Sequence, residues 1–391
     1  MKIAVIGQKG IPAKFGGVEK HVEDLAINLA QRGHEVYVYT RRNYTPADLA
    51  SFRGVNLVSL PSVNSKHLDA ISHTFLACLD VARRDVDVVH FHSIGPSSLL
   101  WLVKLLKPRT PVVATFHTQC YMHQKWNSLA KFYLRFGELV CCKLSDRAIA
   151  VSKTLQAYAQ KKYRNNIVYI PNGVTVRPVG DTDALDAWQL IPGGYILAVS
   201  RLVKHKGIGY LIEAFKKIET DKKLVIVGDS AFTDSYVAQI RRLAEGDPRI
   251  IFTGNQTGEA LKQLFSHAYI FVQPSESEGL SIALLEAMAY EQAVLVSDIP
   301  ENLEALPGND YVFKSKSIRD LRHKLESVLV APEAVSRNRR VNREHVLKHY
   351  NWKDITDGIE QVYEEALELR RTQPRRFRRL KVIGQLMHLW F

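Results

Sequence analysis

Short apolar segments alternate along this chain with longer segments whose apolar residues recur at helical spacing. Such alternation is typical of parallel α/β sheets, in which each strand is followed by a helix. The first series predicts strands at residues 2–6, 35–40, 87–92, 111–116, 147–151 and 167–170. The second series predicts strands at residues 195–199, 224–227, 250–253, 270–272 and 294–297. Two series within 391 residues predict two α/β domains.

Turn-forming residues separate the two series. Pro171-Asn172-Gly173 is a turn sequence, and residues 174–193 are polar with no clear period. We therefore place the link between the domains there. The predicted parts are a Rossmann-like domain at 1–175, a second domain at 190–350, an amphipathic helix at 351–370 and a basic amphipathic tail at 371–391.

The segment PSESEGLSIALLEAM, residues 274–288, places Glu278 and Glu286 eight positions apart across the start of a predicted helix. Ser281 or Glu278 can cap this helix, whose free N–H groups favour an anion. Glu286 lies roughly 10 Å further along, at 1.5 Å per helical residue. Two carboxylates so far apart can hold the two hydroxyl-bearing ends of a sugar nucleotide, with its phosphates between them. An ordinary helix with one exposed Glu is the alternative.

This segment, together with AVLVSDIPENLEAL after it, resembles the retaining glycosyltransferases of family 4. The resemblance covers about residues 1–370. It implies the GT-B fold, an α/β architecture of two Rossmann-like parallel-sheet domains facing across a cleft. It also implies that Glu278 contacts the donor sugar and Glu286 the ribose, with Gly279, Leu280 and Ser281 completing the donor site. In this family a late helix packs back on the first domain.

The loop after the strand at 195–199 carries Arg201, Lys204 and Lys206. A diphosphate needs fixed cations, which an Arg fork and a compact Lys charge supply. The resemblance implies that Arg201 and Lys206, five apart, bind the donor diphosphate, while Lys204 is a lesser candidate. A solvated charged turn is the alternative for this loop.

The first strand is followed by a long loop that ends at Gly16-Gly17. Its glycine pattern is not that of a dinucleotide site. Backbone N–H groups at Gly16 and Gly17 can approach a donor phosphate, or the pair can form a purely structural turn. The segment KGIPAKFGGVEKHVEDLA resembles the corresponding segment of a rhamnosyltransferase-like subgroup of the family.

Three histidines lie in or just after predicted strands of the first domain. The resemblance implies that His117, in ATFHT, contacts the donor sugar near the reacting carbon. We expect His90 and His92 to face opposite sides of their strand, with His92 nearer the cleft and lining the acceptor site. A packed or capping histidine is the alternative for His117.

Metals, cofactors and nucleic acid are not expected. The D-x-D sequences at 85–87 and 181–183 are predicted to be solvated turns, so no metal is expected. No cofactor is expected either, because the nucleotide-sugar is a substrate. Four cysteines show no paired metal spacing, which favours reduced thiols in the cytoplasm. No run approaches the 18 or so apolar residues of a membrane span.

The charge of +13 is concentrated at the C-terminal end, where residues 370–391 hold seven cations and no acid. Basic residues beside Phe377, Trp390 and Phe391 suit an anionic membrane surface. We therefore expect a peripheral attachment of 371–391 to the inner face of the cell membrane; a basic tail without such attachment is the alternative. No fold element or aromatic platform supports nucleic-acid binding.

Together these features predict a retaining, metal-independent glycosyltransferase. It would move a hexose-type sugar from a nucleotide-sugar donor to a glycan or lipid-linked acceptor in bacterial-type cell-surface polysaccharide synthesis. The alternatives are a GT-B sugar-nucleotide epimerase and a non-catalytic scaffold at the membrane surface. Intact Arg201, Lys206, Glu278 and Glu286 argue against the scaffold.

Overall fold

The computed structural model describes residues 1–65, 68–122, 127–176, 178–231, 233–308 and 310–372. The chain forms two compact units. Unit 1 consists of Met1–Asn172 and the C-terminal segment that begins at Trp352, and unit 2 consists of Gly173–Asn351.

Unit 1 is a parallel sheet with helices between its strands. Its elements are β1 (Lys2–Ile6), α1 (Gly17–Gln31), β2 (Glu35–Arg41), β3 (Ser51–Phe52), β4 (Val55–Leu60), α2 (Asp69–Val81), β5 (Val88–His92), α3 (Ile94–Ser97), α4 (Leu100–Leu106), β6 (Val112–Phe116), α5 (Ser128–Leu144), β7 (Arg147–Ala150), α6 (Lys153–Tyr163) and β8 (Ile167–Tyr169). Within the described residues the strand order is β3-β4-β2-β1-β5-β6-β7-β8, and every pair is parallel except β3 with β4. The strands β3 and β4 were not predicted from the sequence.

Unit 2 repeats this architecture. Its elements are β9 (Tyr195–Val199), α7 (Ile208–Phe215), β10 (Lys223–Val227), α8 (Asp234–Ala244), β11 (Ile250–Gly254), α9 (Gly258–Ser266), β12 (Ile270–Gln273), α10 (Ile282–Ala289), β13 (Val294–Ser297), α11 (Pro300–Ala305), β14 (Val312–Phe313), α12 (Ile318–Leu329) and α13 (Pro332–His349). Its described strands form a sheet in the order β11-β10-β9-β12-β13-β14, all parallel. The central strands β9, β12 and β13 are almost wholly apolar because helices cover both faces.

The last helix, α14 (Trp352–Thr372), belongs to unit 1 although it follows unit 2 in the chain. One stripe of the helix is buried, and its members recur at helical spacing: Trp352, Ile355, Ile359, Val362, Tyr363 and Ala366. These side chains join the same core as Ile3 and Val5 of β1 and Leu25 of α1. Burial of this stripe holds the helix on the sheet.

No helix in the described part of the chain combines the length and apolar character that a membrane span requires. Residues 373–391, which include most of the tail predicted at 371–391, lie outside the described residues.

Candidate active site

In unit 2 the loop after β9 lies against the chain that leaves β12. The 3₁₀ turn Lys204–Lys206 ends at Gly207, which has a φ of 71°. A Cβ at Gly207 would lie 1.9 Å from the carbonyl oxygen of Pro274, so this position needs glycine. The backbone N–H of Glu276 donates to the carbonyl oxygen of His205 at 2.8 Å. Lys206 is therefore fixed beside the start of the 274–288 segment.

Lys206 and Glu278, two residues predicted from the sequence, form an ion pair. The Lys206 Nζ lies 2.6 Å and 2.7 Å from the two carboxylate oxygens of Glu278. Ser275 Oγ donates to Glu278 Oε1 at 2.6 Å. The two charged side chains are only 15% and 8% exposed, which strengthens their attraction. The predicted partner Arg201 is exposed, as is Lys204.

The second half of the predicted motif opens α10. Ser281 is its N-cap, and its Oγ accepts from the N–H of Leu284 at 3.3 Å. Glu278, the other residue considered as a cap, instead pairs with Lys206. Gly279 and Leu280 are buried between these residues. Glu286 is half-buried on α10, where its charge adds to burial in raising the pKa of Tyr290.

A buried polar network, which was not predicted from the sequence, joins Glu278 to the start of α10. Ser275 accepts at its carbonyl from Ser297 Oγ at 2.5 Å. Asn302 Nδ2 donates to Ser297 Oγ at 3.0 Å, and Gln273 Nε2 donates to Asn302 Oδ1 at 2.6 Å. Ser281 Oγ donates to Gln273 Oε1 at 2.6 Å.

One sequence signal could have found this network. Gln273 and Ser297 are polar last residues of the otherwise apolar strands β12 and β13. A polar side chain at a buried strand end needs a partner, because an unpaired buried polar group costs about 1–3 kcal/mol. Glu301, also not identified, lies on α11. Burial and then the charge of Glu278 raise the pKa of its carboxyl group.

In unit 1 the predicted histidines His92 and His117 meet. His92 is the last residue of β5, and His117 directly follows β6. His92 Nδ1 lies 3.0 Å from His117 Nε2, so one ring donates to the other. Burial lowers the pKa of both rings well below the ordinary value. Both imidazoles are therefore neutral near pH 7, and each can donate or accept a hydrogen bond.

The expectation that His90 and His92 face opposite sides of their strand is wrong. Side chains two residues apart on a strand share a face. The two ring centroids are 4.1 Å apart. Both rings are fully buried, and His90 has its Nε2 2.7 Å from Thr115 Oγ1 and its Nδ1 2.8 Å from the Tyr363 hydroxyl of α14. Burial lowers the pKa of His90 to about 3, so its ring is neutral near pH 7.

His21 of α1 completes a cluster with His92 and His117. One ligand atom of each ring lies within 4.8 Å of the others. Burial lowers the pKa of His21 to about 4. Neutral imidazoles are ligands for ions such as Zn²⁺, so this cluster is the group of described residues with the chemistry to hold a metal. All three ligands are neutral imidazoles, so no carboxylate of this cluster would offset the charge of a bound cation.

The two D-x-D sequences have protein partners. Asp85 pairs with Lys2 Nζ at 2.7 Å, and Asp87 accepts from the backbone N–H of Lys2 at 2.7 Å. Asp183 accepts from Gln263 Nε2 at 2.7 Å. The carbonyl oxygen of Asp181 lies 2.9 Å from His267 Nε2. These contacts give each sequence a structural role.

The predicted phosphate loop at Gly16-Gly17 lies against a carboxylate of the first turn of α1. Gly16 is the N-cap of α1 and has a φ of 102°. A Cβ there would lie 2.2 Å from Glu19 Oε2, and Glu19 Oε1 accepts from the N–H of Lys9 at 3.1 Å. Glu19 therefore supplies a negative charge at the start of α1 and opposes a phosphate there unless it moves.

Sequence comparison identifies both units. Residues 15–177 match the model of "Glycosyltransferase Family 4", and residues 192–345 match that of "Glycosyl transferases group 1". The chain is a glycosyltransferase similar to family 4. The glycosyltransferase is 26% identical to an uncharacterised glycosyltransferase of Methanocaldococcus jannaschii, over 94% of this chain and 99% of the relative. It is 27% identical to a phosphatidyl-myo-inositol mannosyltransferase of Mycobacterium tuberculosis, over 89% of this chain and 93% of the relative.

Solved structures share the GT-B fold of this glycosyltransferase. A sucrose-phosphate synthase from Thermosynechococcus elongatus superposes with a TM-score of 0.79 at 21% identity, covering 94% of this chain and 99% of that one. HepE of Anabaena, solved in complex with UDP and glucose, superposes with a TM-score of 0.77 at 15% identity, covering 93% and 99%. The sequence-based prediction of a two-domain α/β GT-B fold is confirmed.

Proposed function

We propose that this glycosyltransferase is a retaining, metal-independent enzyme that uses a nucleotide-sugar donor. The sugar is hexose-type, and the acceptor is a glycan or lipid-linked molecule of bacterial-type cell-surface polysaccharide synthesis. The observation that carries the proposal is the Lys206–Glu278 pair, held beside Gly207 and the capped start of α10. It combines a fixed cation for a diphosphate with a carboxylate for sugar hydroxyls.

In the proposed reaction, the bond between the sugar carbon and the donor diphosphate breaks. A new bond from that carbon to the acceptor oxygen forms on the same face, and the leaving phosphate takes the acceptor's proton. Lys206 and Arg201 stabilise the negative charge that develops on the diphosphate. Glu278 accepts hydrogen bonds from the sugar, and Glu286 from the ribose. His117 remains a proposed contact to the donor sugar, and His92 to the acceptor.

Two relatives support the substrate class. One is named a phosphatidyl-myo-inositol mannosyltransferase and one a sulfoquinovosyl transferase of Arabidopsis thaliana. The solved HepE structure contains UDP and glucose. The resemblance of residues 9–26 to the rhamnosyltransferase-like subgroup adds a deoxyhexose to the donors to be screened. We also propose a peripheral membrane attachment through 371–391.

Thermal unfolding with UDP, GDP and dTDP, each with and without EDTA, tests the donor site. A nucleotide that binds the folded state raises stability by RT ln(1 + [L]/Kd), so we expect a higher melting temperature with one nucleotide. We expect the increase to persist in EDTA. Loss of the increase in EDTA would refute metal independence. The cluster of His21, His92 and His117 would then be the candidate metal site. No increase with any nucleotide would contradict the donor site.

A further inference from the structure

The cluster of His21, His92 and His117 in unit 1 differs from the neighbouring His90 in its hydrogen bonds. Both ring nitrogens of His90 lie within hydrogen-bond distance of protein hydroxyl groups. In contrast, both ring nitrogens of His21 and Nε2 of His92 are buried without a hydrogen-bond partner among the described residues. Buried polar atoms are almost always paired, so unpaired nitrogens in one cluster indicate a place for a ligand.

The three rings lie close enough together to hold one ion. The ring centroids of His21 and His117 are 5.0 Å apart, and those of His21 and His92 are 5.5 Å apart. One ligand nitrogen of each ring lies within 4.8 Å of the others. Zinc–nitrogen bonds of about 2.0–2.1 Å place the nitrogens of a tetrahedral site about 3.4 Å apart. Small side-chain movements would therefore bring all three nitrogens onto one ion.

Three separate elements of unit 1 position these rings. His21 comes from α1, His92 ends β5, and His117 follows the neighbouring strand β6. The ring of Trp352 packs on His21 at 5.5 Å, and the ring of His90 lies 4.1 Å from that of His92. Packing of this kind holds ligand side chains in place before an ion arrives.

The protonation state of the cluster suits a metal ion. Burial lowers the pKa of each ring, and at His21 it outweighs Asn172, which acts in the opposite direction without a hydrogen bond to the ring. Neutral imidazole is the form that binds metals. His92 and His117 now share one proton along a 3.0 Å contact. On binding, the donating ring would move this proton to its other nitrogen, so both rings would stay neutral.

We propose that His21, His92 and His117 bind one divalent transition-metal ion of the Zn²⁺ class, and that the bound ion inhibits sugar transfer. Imidazole ligands suit Zn²⁺, whereas Mg²⁺ and Ca²⁺ prefer oxygen ligands. Three histidines can hold zinc with a water in the fourth position. The inhibition rests on the proposed function, because an ion on His117 would block its contact with the donor sugar. The binding of the ion does not.

X-ray absorption spectroscopy of the full-length wild-type protein tests the site without any substitution. Protein stripped with EDTA, transferred to EDTA-free buffer and titrated with Zn²⁺ should bind one ion per chain in calorimetry. The spectrum of the loaded protein should then show three imidazole ligands. Two imidazoles would overturn the proposal and favour His345 and His349, whose rings are 4.7 Å apart on α13.

A substitution of His21 tests which histidines hold the ion. His21→Gln should weaken Zn²⁺ binding at least about a hundredfold, because even groups that only orient a ligand contribute about 10–100-fold to metal affinity. The matched control is His349→Gln, which removes an exposed histidine and should bind Zn²⁺ as the wild type does. Equal affinity of His21→Gln and the wild type would overturn the proposal. The melting temperature without metal checks that each variant is folded.

Inhibition is tested by the release of nucleoside diphosphate from the donor at increasing Zn²⁺. We expect saturating Zn²⁺ to lower the wild-type rate at least about tenfold, because a group placed at the reacting carbon stabilises the transition state. EDTA should restore the rate, and His21→Gln should resist the same Zn²⁺ concentration. An unchanged wild-type rate with the site loaded would overturn the inhibition. Nucleotide-induced stabilisation tests the donor site separately, so failure of the proposed function would be recognised by its own result.

Discussion

The Lys206–Glu278 pair concentrates the chemistry of the proposed donor site in two side chains. Each charge is largely removed from water and is stabilised by the other, and Ser275 Oγ also donates to Glu278. We expect Lys206→Ala to lower kcat by about a hundredfold, because the developing charge on the diphosphate would lose a fixed cation. The measurement is steady-state kinetics at saturating donor. Wild-type turnover in this variant would remove Lys206 from the reaction.

Lys204 provides the matched control for that substitution. It belongs to the same 3₁₀ turn but is exposed, and no described carboxylate pairs with it. Lys204→Ala should therefore lower kcat much less than Lys206→Ala does. A similar loss in both variants would indicate that the turn as a whole, rather than the Lys206 ammonium, is required.

At the scale of elements, α14 is fastened to unit 1 at its last turn by a buried charge cluster. Arg370 Nη2 lies 2.7 Å from Asp146 Oδ2, and Lys104 Nζ lies 3.0 Å from Asp146 Oδ1. Burial acts to raise the pKa of Asp146, but Lys104 and Arg370 outweigh it and hold that pKa below the ordinary 3.8. The stabilisation is therefore present at neutral pH and is lost as the pH falls below 3.8.

We expect Arg370→Ala to lower the free energy of unfolding by about 3 kcal/mol, because removing one member of a buried pair leaves the remaining charges poorly matched. Urea denaturation at pH 7 measures the effect. Arg371→Ala is the matched control, since this neighbouring arginine is exposed and its loss should change the free energy by less than about 0.5 kcal/mol. Equal effects of the two substitutions would show that the contact with Asp146 contributes little.

Across the whole molecule, the sequence predicted those strands and helices that show a local pattern of apolar residues. The apolar runs of β1, β5 and β9 are recognisable because buried parallel strands are nearly all apolar. The strand β4 was missed because it pairs with the two-residue strand β3 near the sheet edge and mixes Asn56 and Ser59 with apolar residues. Its identity as a strand depends on pairing with β2, which no local pattern shows.

The sequence predicted individual residues of the candidate site but not the contacts between them. Glu278 and Lys206 were identified separately, because a 72-residue separation hides their ion pair from any local pattern. The polar network through Gln273 and Asn302 was missed because the polar last residues of β12 and β13 were not taken as a sign of buried partners. That α14 belongs to unit 1 was expected from resemblance alone. It becomes physically clear only when Tyr363 is seen to lie on His90.

At the scale of the whole molecule, the proposed membrane attachment rests on charge, because five of the cations behind the net charge of +13 lie in residues 373–391. One weak anchor gives marginal and reversible attachment, so stable binding takes two signals. We therefore expect deletion of 373–391, which leaves α14 and Arg370 intact, to move the protein from membrane pellets to the soluble fraction. Cell fractionation measures this, and an unchanged melting temperature serves as the control. An unchanged distribution would show that the tail is not one of the two signals.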